Sequence, residues 1–214
     1  IVTGASSGIG YELAKQLASA GAEVCATARR TDRLHDLQKE IQEAGGVCEI
    51  VAGDITEAAT RHQLLTKVKT SFAGLDVLIN NAGIGAMGRF DEASPERLRQ
   101  IFDVNFFATA EMIRESLELL RSSANNPIIV NISSVLGHRV VPLKSEYCAS
   151  KFAIHGFSDS IRAELVRDGI DLLLVSPSTT NSEFFDQAIE DKTGKQWKKR
   201  GAMPPEVVAA KTIK

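Results

Sequence analysis

Short apolar runs rich in β-branched residues alternate along this chain with longer segments of helical periodicity. The apolar runs cover residues 1–3, 23–28, 47–53, 76–80, 127–133 and 170–175. Continuous apolar runs of this length are typical of parallel strands that are buried on both faces. Between them, apolar residues recur three or four positions apart, as at Leu34, Leu37 and Ile41. The alternation predicts an α/β fold, a Rossmann-type doubly wound parallel sheet in a single domain with helices on both faces.

Single residues indicate where some of these elements begin and end. Gly21 follows a helical segment in the manner of a C-terminal cap. Ser94-Pro95 has the sequence of an N-cap followed by the first helical residue. Ile1 already lies inside the first predicted strand, and the last helical segment is cut at Lys214. We therefore expect both ends of the chain to be incomplete.

Composition excludes several classes of protein. Of the 214 residues, 43% are hydrophobic and 24% charged, which is normal for a globular domain that buries a full core. A formal charge of -2 gives no field that would attract nucleic acid or anionic lipid, so neither is an expected partner. No apolar stretch approaches the ~20 residues that span a bilayer, although an anchor upstream of Ile1 stays open.

The cysteines and histidines point to no metal site and no disulfide. Three sparse cysteines read as reduced thiols, so we expect a cytoplasmic protein. The histidines lack the spacing of metal ligands. They are His35, His62, His138 and His155.

Three glycines lie between the first predicted strand and the following helix. Gly4 permits a tight turn, Gly8 allows the backbone to approach a diphosphate, and Gly10 allows the helix to pack against the strand. A plain strand-to-helix turn could hold the same glycines, and their place in a βαβ pattern favours the binding site. The predicted contacts from this turn are Gly4, Ser6, Ser7, Gly8, Ile9 and Gly10.

A tyrosine precedes a lysine by four residues, at Tyr147 and Lys151. If residues 146–167 are helical, the phenol and the ammonium share one face, one turn apart. A nearby cation favours the phenolate, so we predict that the pKa of Tyr147 lies below its usual value of about 10. Together with the glycine turn, this proton donor predicts hydride transfer at a carbonyl or an alcohol.

Motifs spread over nearly the whole chain resemble those of the short-chain dehydrogenases/reductases. They are Thr-Gly-x-x-x-Gly-x-Gly at 3–10, Asp54, Asn80-Asn81-Ala82-Gly83, Asn105, Ser134, Tyr147 with Lys151, and Pro177. The resemblance implies strand order 3-2-1-4-5-6-7, a nicotinamide cofactor, and a homodimer or homotetramer joined through the helices that hold Asn105 and Tyr147. It also implies a catalytic set, consisting of Asn105, Ser134, Tyr147 and Lys151.

Each member of that set has an expected role. Ser134 ends the fifth strand, where its hydroxyl can bond the substrate oxygen; Ser133 is the rival, and family spacing favours Ser134. Tyr147 acts as general acid or base, and Lys151 lowers its pKa and holds the nicotinamide ribose. Asn105 is expected mid-helix, holding a water that relays protons to the lysine. Each residue alone could be structural, whereas the set together argues for chemistry.

The end of the second strand bears on the choice of coenzyme. An acid there would bind the ribose 2′-hydroxyl of NAD, whereas arginine accommodates the 2′-phosphate of NADP. Ala28 holds the acid's place and Arg29 follows it, which predicts NADP, with NAD less favoured. The alternative to a phosphate site is that Arg29 and Arg30 simply open a surface helix. NADP-binding members of the family also carry a basic residue inside the glycine motif, where this chain has Ser7. The other expected cofactor contacts are Arg30, Asp54, Ile55, Asn81, Ala82, Gly83, Tyr147, Lys151, Pro177 and Thr180.

The sequence thus predicts an NADP-dependent oxidoreductase that interconverts a carbonyl and a secondary alcohol. An NAD-preferring dehydrogenase and a non-catalytic nucleotide-binding regulatory protein are the alternatives. We assign residues 1–214 to a single dinucleotide-binding and catalytic domain, with 178–205 as the substrate loop and 183–203 as a lid or a permanently pinned loop. Apolar loop residues suggest a small-molecule substrate with an apolar part, or else core and subunit contacts. They are Met87, Phe90, Val140, Val141, Leu143, Phe184, Phe185, Trp197 and Met203.

Overall fold

A six-stranded parallel sheet forms the centre of the molecule. The structure, a computed structural model, describes residues 1–72, 74–184, 187–189 and 201–214. The strands within these residues are β1 (Val2–Thr3), β2 (Glu23–Ala28), β3 (Val47–Ala52), β4 (Val77–Asn80), β5 (Ile128–Ile132) and β6 (Asp171–Val175). Their order is 3-2-1-4-5-6, and every pairing is parallel. The predicted doubly wound sheet is confirmed; the described residues contain no seventh strand.

Helices pack on both faces of this sheet. They are α1 (Gly8–Ser19), α2 (Thr31–Glu43), α3 (Ala58–Phe72), α4 (Pro95–Phe102), α5 (Ala108–Arg121), α6 (Ser145–Leu165) and α7 (Pro205–Ile213). Successive strand residues point to opposite faces. Leu78 and Ile129 accordingly join a core with α3 and α5, whereas Ile79 and Val130 join a second core with α1 and α2. None of the described helices is long and apolar enough to cross a membrane.

The predicted boundaries of two helices are confirmed. Gly21 has φ of +92° and follows Ala20, the C-cap residue of α1; glycine adopts this conformation without strain. Ser94 caps α4, because its hydroxyl accepts a hydrogen bond of 3.2 Å from the backbone N–H of Arg97, and Pro95 is the first helical residue. The helix predicted over 146–167 is α6, followed by a 3₁₀ turn at Val166–Asp168.

Asn105 departs from the prediction of a regular mid-helix position. It lies in a π-helical turn, Asp103–Phe107, that joins α4 to α5. Its Nδ2 donates to the carbonyl oxygen of Ile84 at 3.0 Å and its Oδ1 accepts from the N–H of Ile84 at 2.8 Å. The extra residue of a π turn shifts the side chains that precede and follow it, and such turns are frequent at functional sites.

A buried ion pair fixes α4 against the start of α6. Arg97 donates to Glu146 Oε1 from Nε at 3.0 Å and from Nη2 at 2.6 Å, and Ser145 donates to Oε2 at 2.7 Å. The side chains of Arg97 and Glu146 are only 1% and 2% exposed. Burial by itself raises the pKa of Glu146, and the hydrogen bonds from Arg97 and Ser145 bring it below its usual value. Glu146 directly precedes Tyr147, so this pair fixes the first turn of α6.

We expect Arg97→Met to lower the free energy of unfolding by about 3 to 5 kcal/mol, because it leaves the Glu146 carboxylate buried without its partner. Urea unfolding measures this loss. The double variant Arg97→Met with Glu146→Leu should recover part of it, since a neutral apolar pair has no uncompensated charge. A double variant as unstable as the sum of both single variants would contradict this view of the pair.

Candidate active site

The residues that follow the six strands line one cavity of roughly 340 Å³ at the carboxyl edge of the sheet. Parallel strands bring their carboxyl ends to one edge, which is where ligands of such sheets bind. Most of the predicted site residues lie in its wall. They are Gly4, Ser6, Ser7, Gly8, Ile9, Arg29, Arg30, Asp54, Ile55, Asn81, Ala82, Gly83, Ser134, Tyr147, Lys151, Pro177 and Thr180. Gly10 and Asn105 are not part of this wall.

The glycine turn has no room for side chains. Gly8 has φ of +59°, and a Cβ on Gly10 would lie 2.5 Å from the carbonyl oxygen of Gly4. Asn81 holds the turn from the end of β4, because its Nδ2 donates to the carbonyls of Thr3 at 3.0 Å and Gly4 at 3.1 Å. The turn leads into the N-terminus of α1, whose N–H groups can bind an anion. This cradle fits a diphosphate.

Tyr147 lies at the inner end of the same cavity. The residue is 5% exposed, and the ring of Phe184 packs edge-on against it with the centroids 5.6 Å apart. Its phenol hydrogen bonds Ser134, which also accepts from the N–H of Leu136 at 3.1 Å. Ser133, the rival serine, is buried and its Oγ has no hydrogen-bond partner among the described residues. The geometry therefore brings Ser134, and not Ser133, to the phenol.

The pKa values at this site are set by burial. Burial raises the pKa of Tyr147 to about 12, although the hydrogen bond with Ser134 acts in the opposite direction. Burial also lowers the pKa of Lys151 to about 8. The expected lowering of the phenol pKa by the lysine is not found, and that prediction was wrong. Lys151 Nζ lies 5.7 Å from the centroid of the Tyr147 ring and donates to the carbonyl of Ile132 at 3.1 Å.

Asn105 supports the turn of α6 that carries the tyrosine. Besides its bond to Ile84, its Nδ2 donates to Ser150 Oγ at 3.0 Å, and Ser150 in turn donates to the carbonyl of Tyr147 at 2.8 Å. Both amide hydrogens are therefore engaged by protein groups. A water held at Asn105 would therefore have to donate a hydrogen bond to an oxygen of Asn105. The expected role of Asn105 in holding a proton-relaying water stays a prediction. Ser150 lies between Tyr147 and Lys151 in the sequence, but only the fold shows its contact with Asn105.

The two arginines after β2 have different surroundings. Arg29 is exposed at the rim of the cavity. Arg30 reaches back to the glycine turn, where Nη2 donates to Ser7 Oγ at 2.7 Å and to Ser6 Oγ at 3.0 Å. The positive charge that the glycine motif lacks at Ser7 is thus supplied by Arg30. Sequence reasoning gave precedence to Arg29, because chain position alone does not indicate which side chain folds back.

The predicted apolar substrate pocket is only partly found. Among the named loop residues that the structure describes, Phe184 alone lines the cavity. Met87 is part of the core, and Phe90 and Val140 are exposed to 67% and 70%. Phe185 and Trp197 lie outside the described residues. The cavity wall contains other apolar residues that the sequence did not single out, among them Ile84, Val135 and Leu136, together with the polar Arg139 and Lys144.

Comparison with known sequences shows the family. A family model described as short chain dehydrogenase matches residues 1–193. The chain therefore belongs to the short-chain dehydrogenases/reductases, a family of oxidoreductases, and the predicted resemblance is confirmed. The described part of the chain contains no cluster of three or more metal-binding side chains.

Three bacterial relatives illustrate the range of similarity. Uncharacterized oxidoreductase YxnA of Bacillus subtilis is 29% identical over 213 residues, which are 98% of this chain and 60% of that protein. Uncharacterized oxidoreductase SSP0419 of Staphylococcus saprophyticus is 31% identical over 214 residues, 100% of this chain and 88% of that protein. The 3beta-hydroxysteroid dehydrogenase of Mediterraneibacter gnavus is 32% identical over 192 residues, 89% of this chain and 69% of the enzyme. This chain is thus shorter than each of the three.

Solved structures agree with the fold. An alcohol dehydrogenase of Thermococcus sibiricus, complexed with 5-hydroxy-NADP, superposes with a TM-score of 0.87 at 25% identity, covering 98% of this chain and 86% of that one. A metagenomic short-chain oxidoreductase in complex with NADP has a TM-score of 0.83 at 30% identity, covering 99% and 86%. A Burkholderia phymatum short-chain dehydrogenase/reductase in complex with NAD has a TM-score of 0.90 at 24% identity, covering 99% and 83%, which shows the fold alone.

Replacing Lys151 by Met should change how stability depends on pH. The folded protein holds the Lys151 proton with a pKa of about 8, against 10.5 for the free side chain, so the stability that this group contributes is lost as pH falls through about 8. Between about pH 7 and pH 10, the wild type should gain about 2 to 3 kcal/mol relative to Lys151→Met. Urea unfolding across that range measures the difference. Exposed Lys39 provides the control, since Lys39→Met should follow the wild type; a Lys151→Met curve parallel to the wild type would contradict the buried charge.

Proposed function

We propose that this protein is an NADP-preferring oxidoreductase that interconverts a carbonyl and a secondary alcohol, with Tyr147 as general acid and base. The observation that carries the proposal is the meeting of Ser134, Tyr147 and Lys151 in one cavity with the glycine turn. Relatives named 3beta-hydroxysteroid dehydrogenase and alcohol dehydrogenase support the same reaction class. A nicotinamide coenzyme bound in this cavity supplies or accepts the hydride.

The protonation states suit the proposed chemistry. With a pKa of about 12, the Tyr147 phenol is protonated near neutral pH and can donate its proton to the oxygen of a carbonyl as negative charge develops there. The Ser134 hydroxyl, already bonded to the phenol, can hydrogen bond the same oxygen and fix its position. Alcohol oxidation requires Tyr147 to lose its proton first, so it should become faster at alkaline pH. Lys151, one turn further along α6, would hold the nicotinamide ribose.

The preference for NADP rests on the positive charges around the end of β2. Ala28 offers no carboxylate to a ribose 2′-hydroxyl. Arg29 lies at the rim, and Arg30 bonds both serines of the glycine turn, so two guanidinium groups flank the position of a 2′-phosphate. Asp54 and Ile55 after β3, and Asn81 to Gly83 after β4, would contact the adenosine. Pro177 and Thr180 after β6 would lie on the nicotinamide side.

The proposed substrate is a small carbonyl compound or alcohol with an apolar part against Phe184.

We also propose that the loop over the cavity acts as a lid. Two backbone hydrogen bonds attach described residues of this loop: Ile189 donates to the carbonyl of Gly85 at 2.9 Å and Met203 donates to that of Thr179 at 2.8 Å. Opening of the lid requires the first of these bonds to break. Residues 185, 186 and 190–200, which belong to the proposed lid, lie outside the described residues.

A homodimer or homotetramer is part of the proposal. The π turn that holds Asn105 and the helix α6 that holds Tyr147 each bear an exposed apolar side chain, namely Phe107 at 53% and Phe152 at 43% exposure. Phe106, in the same π turn as Phe107, packs edge-on against Phe107 and against Phe157 of α6, so aromatic side chains connect the π turn with α6. Exposed aromatic side chains on these two segments support a subunit interface there.

Tyr147→Phe tests the central role directly. The variant loses the acidic proton but keeps the ring and the remaining cavity wall, so turnover should fall by about 10²- to 10⁴-fold while NADPH still binds. Steady-state NADPH oxidation with a panel of ketones and aldehydes measures turnover, and coenzyme fluorescence measures binding. Ser133→Ala is the matched control, because it removes a hydroxyl that does not touch the phenol. Turnover near the wild-type rate in Tyr147→Phe would show that the tyrosine is not the acid.

Arg29→Ala should weaken the binding of NADPH much more than that of NADH. Only NADPH presents a 2′-phosphate to the guanidinium, and losing one charge-assisted hydrogen bond costs on the order of 1.5 to 3 kcal/mol. Calorimetric titration of both coenzymes gives the two losses. Equal losses would mean that Arg29 is structural.

A further inference from the structure

A carboxylate from the far side of the cavity contacts Arg30, one of the two arginines proposed to flank the 2′-phosphate. Glu183, eight residues beyond the end of β6, accepts a hydrogen bond at Oε2 from Arg30 Nη1 at 2.8 Å. Its Oε1 lies 3.5 Å from Arg33 Nη2, and Gln187 donates to Oε2 at 3.3 Å. Glu183 is therefore held by two guanidinium groups at the end of the groove where β2 meets α2.

Arg30 links this carboxylate to the glycine turn. Its Nη2 and Nε atoms face Ser6 and Ser7, and its Nη1 atom faces Glu183. A guanidinium is a planar fork whose N–H groups fit carboxylates and phosphates alike. The Nη1 atom of Arg30 is thus bound to a carboxylate of the protein itself.

The residues on either side of Glu183 lie across the groove. We call Ser182, Glu183 and Phe184 the strap. A Cβ placed on Gly8 would come within 3.1 Å of the Cβ of Ser182, so the strap rests on the glycine turn. At its other end Phe184 packs against Tyr147 and lies 3.0 Å from where a Cβ on Gly85 would be. The strap therefore extends from the glycine turn and Arg30 to the catalytic tyrosine.

We propose that Glu183 is a coenzyme-selecting residue, because its carboxylate competes with a 2′-phosphate for Arg30. The inference rests on the proposed function and goes beyond it by assigning an opposing charge to the same site. A 2′-phosphate and the Glu183 carboxylate repel each other, and both would draw on the N–H groups of the same guanidinium. A ribose 2′-hydroxyl carries no charge and leaves the ion pair in place. Binding of the phosphorylated coenzyme therefore exchanges one ion pair for another and frees the strap from Arg30.

Glu183→Gln separates the competition from other roles of the residue. The amide keeps the size of the side chain and removes its charge, so the dissociation constant of NADPH should fall by on the order of threefold to tenfold. That of NADH should change by less than about twofold, because it presents no phosphate. The bisphosphate 2′,5′-ADP, which lacks the nicotinamide, should follow NADPH. Fluorescence titration measures the coenzymes and calorimetry measures 2′,5′-ADP.

Two further variants make the test specific. Glu43→Gln removes one negative charge from the exposed end of α2 and should leave all three affinities unchanged. In an Arg30→Gln background, Glu183→Gln should give a much smaller gain, because the group for which both anions compete is gone and only their direct repulsion remains. A gain that persists in full without Arg30 would overturn the competition.

The outcomes distinguish this inference from the proposed function. Unchanged NADPH affinity in Glu183→Gln, or an equal gain for both coenzymes, overturns the selecting role. Weaker NADH binding would show that Glu183 holds the 2′-hydroxyl, which also overturns it. A wild type that binds neither coenzyme contradicts the proposed function; a tighter complex of Glu183→Gln with 2′,5′-ADP would then still support the competition, and an unchanged one would refute it.

Discussion

Two asparagines hold the loop after β4 between the glycine turn and α6, and the geometry of the candidate site depends on their hydrogen bonds. Asn81 fastens the start of the loop to the carbonyls of Thr3 and Gly4. Asn105 fastens its middle at Ile84 and reaches Ser150 on α6. Because side-chain amides offer donors and an acceptor in fixed geometry, each asparagine joins segments that are distant in sequence. These hydrogen bonds thereby fix the glycine turn and the helix that carries Tyr147 relative to each other.

Burial sets the pKa values of Tyr147 and Lys151, and it also lowers the stability of the folded protein. Tyr147 and Lys151 are both nearly inaccessible, which keeps the phenol protonated and brings the lysine pKa to about 8. A buried ammonium is unfavourable, and the protein retains it through only one described hydrogen bond, to Ile132. Such a cost at a functional site is expected where activity and stability are in conflict. The Arg97–Glu146 pair stabilises the start of the same helix from the opposite side.

The sequence was sufficient for the sheet, because buried parallel strands leave continuous apolar runs, and residues 23–28 became β2 without a shift in either boundary. The helix ends at Ser94 and Gly21 were also predicted correctly, since capping depends on residues that are adjacent in the sequence. The family motif indicated Ser134, Tyr147 and Lys151, and the fold brings them together in one cavity. The π turn at Asn105, the fold-back of Arg30 and the ion pair of Glu183 were missed, because each depends on a partner more than 20 residues away. The pKa of Tyr147 was predicted with the wrong sign because helical spacing gives the lysine's position but not the extent of burial.

Hydride transfer between a nicotinamide coenzyme and a carbonyl carbon is the reaction that we propose for this cavity. The most direct measurement follows deuterium from NADPH labelled at its hydride position into the products of a panel of ketones and aldehydes. We expect deuterium to appear on the alcohol carbon of at least one product, in step with NADPH oxidation. A protein that binds neither NADPH nor NADH, or binds them and transfers no deuterium to any member of the panel, would contradict it.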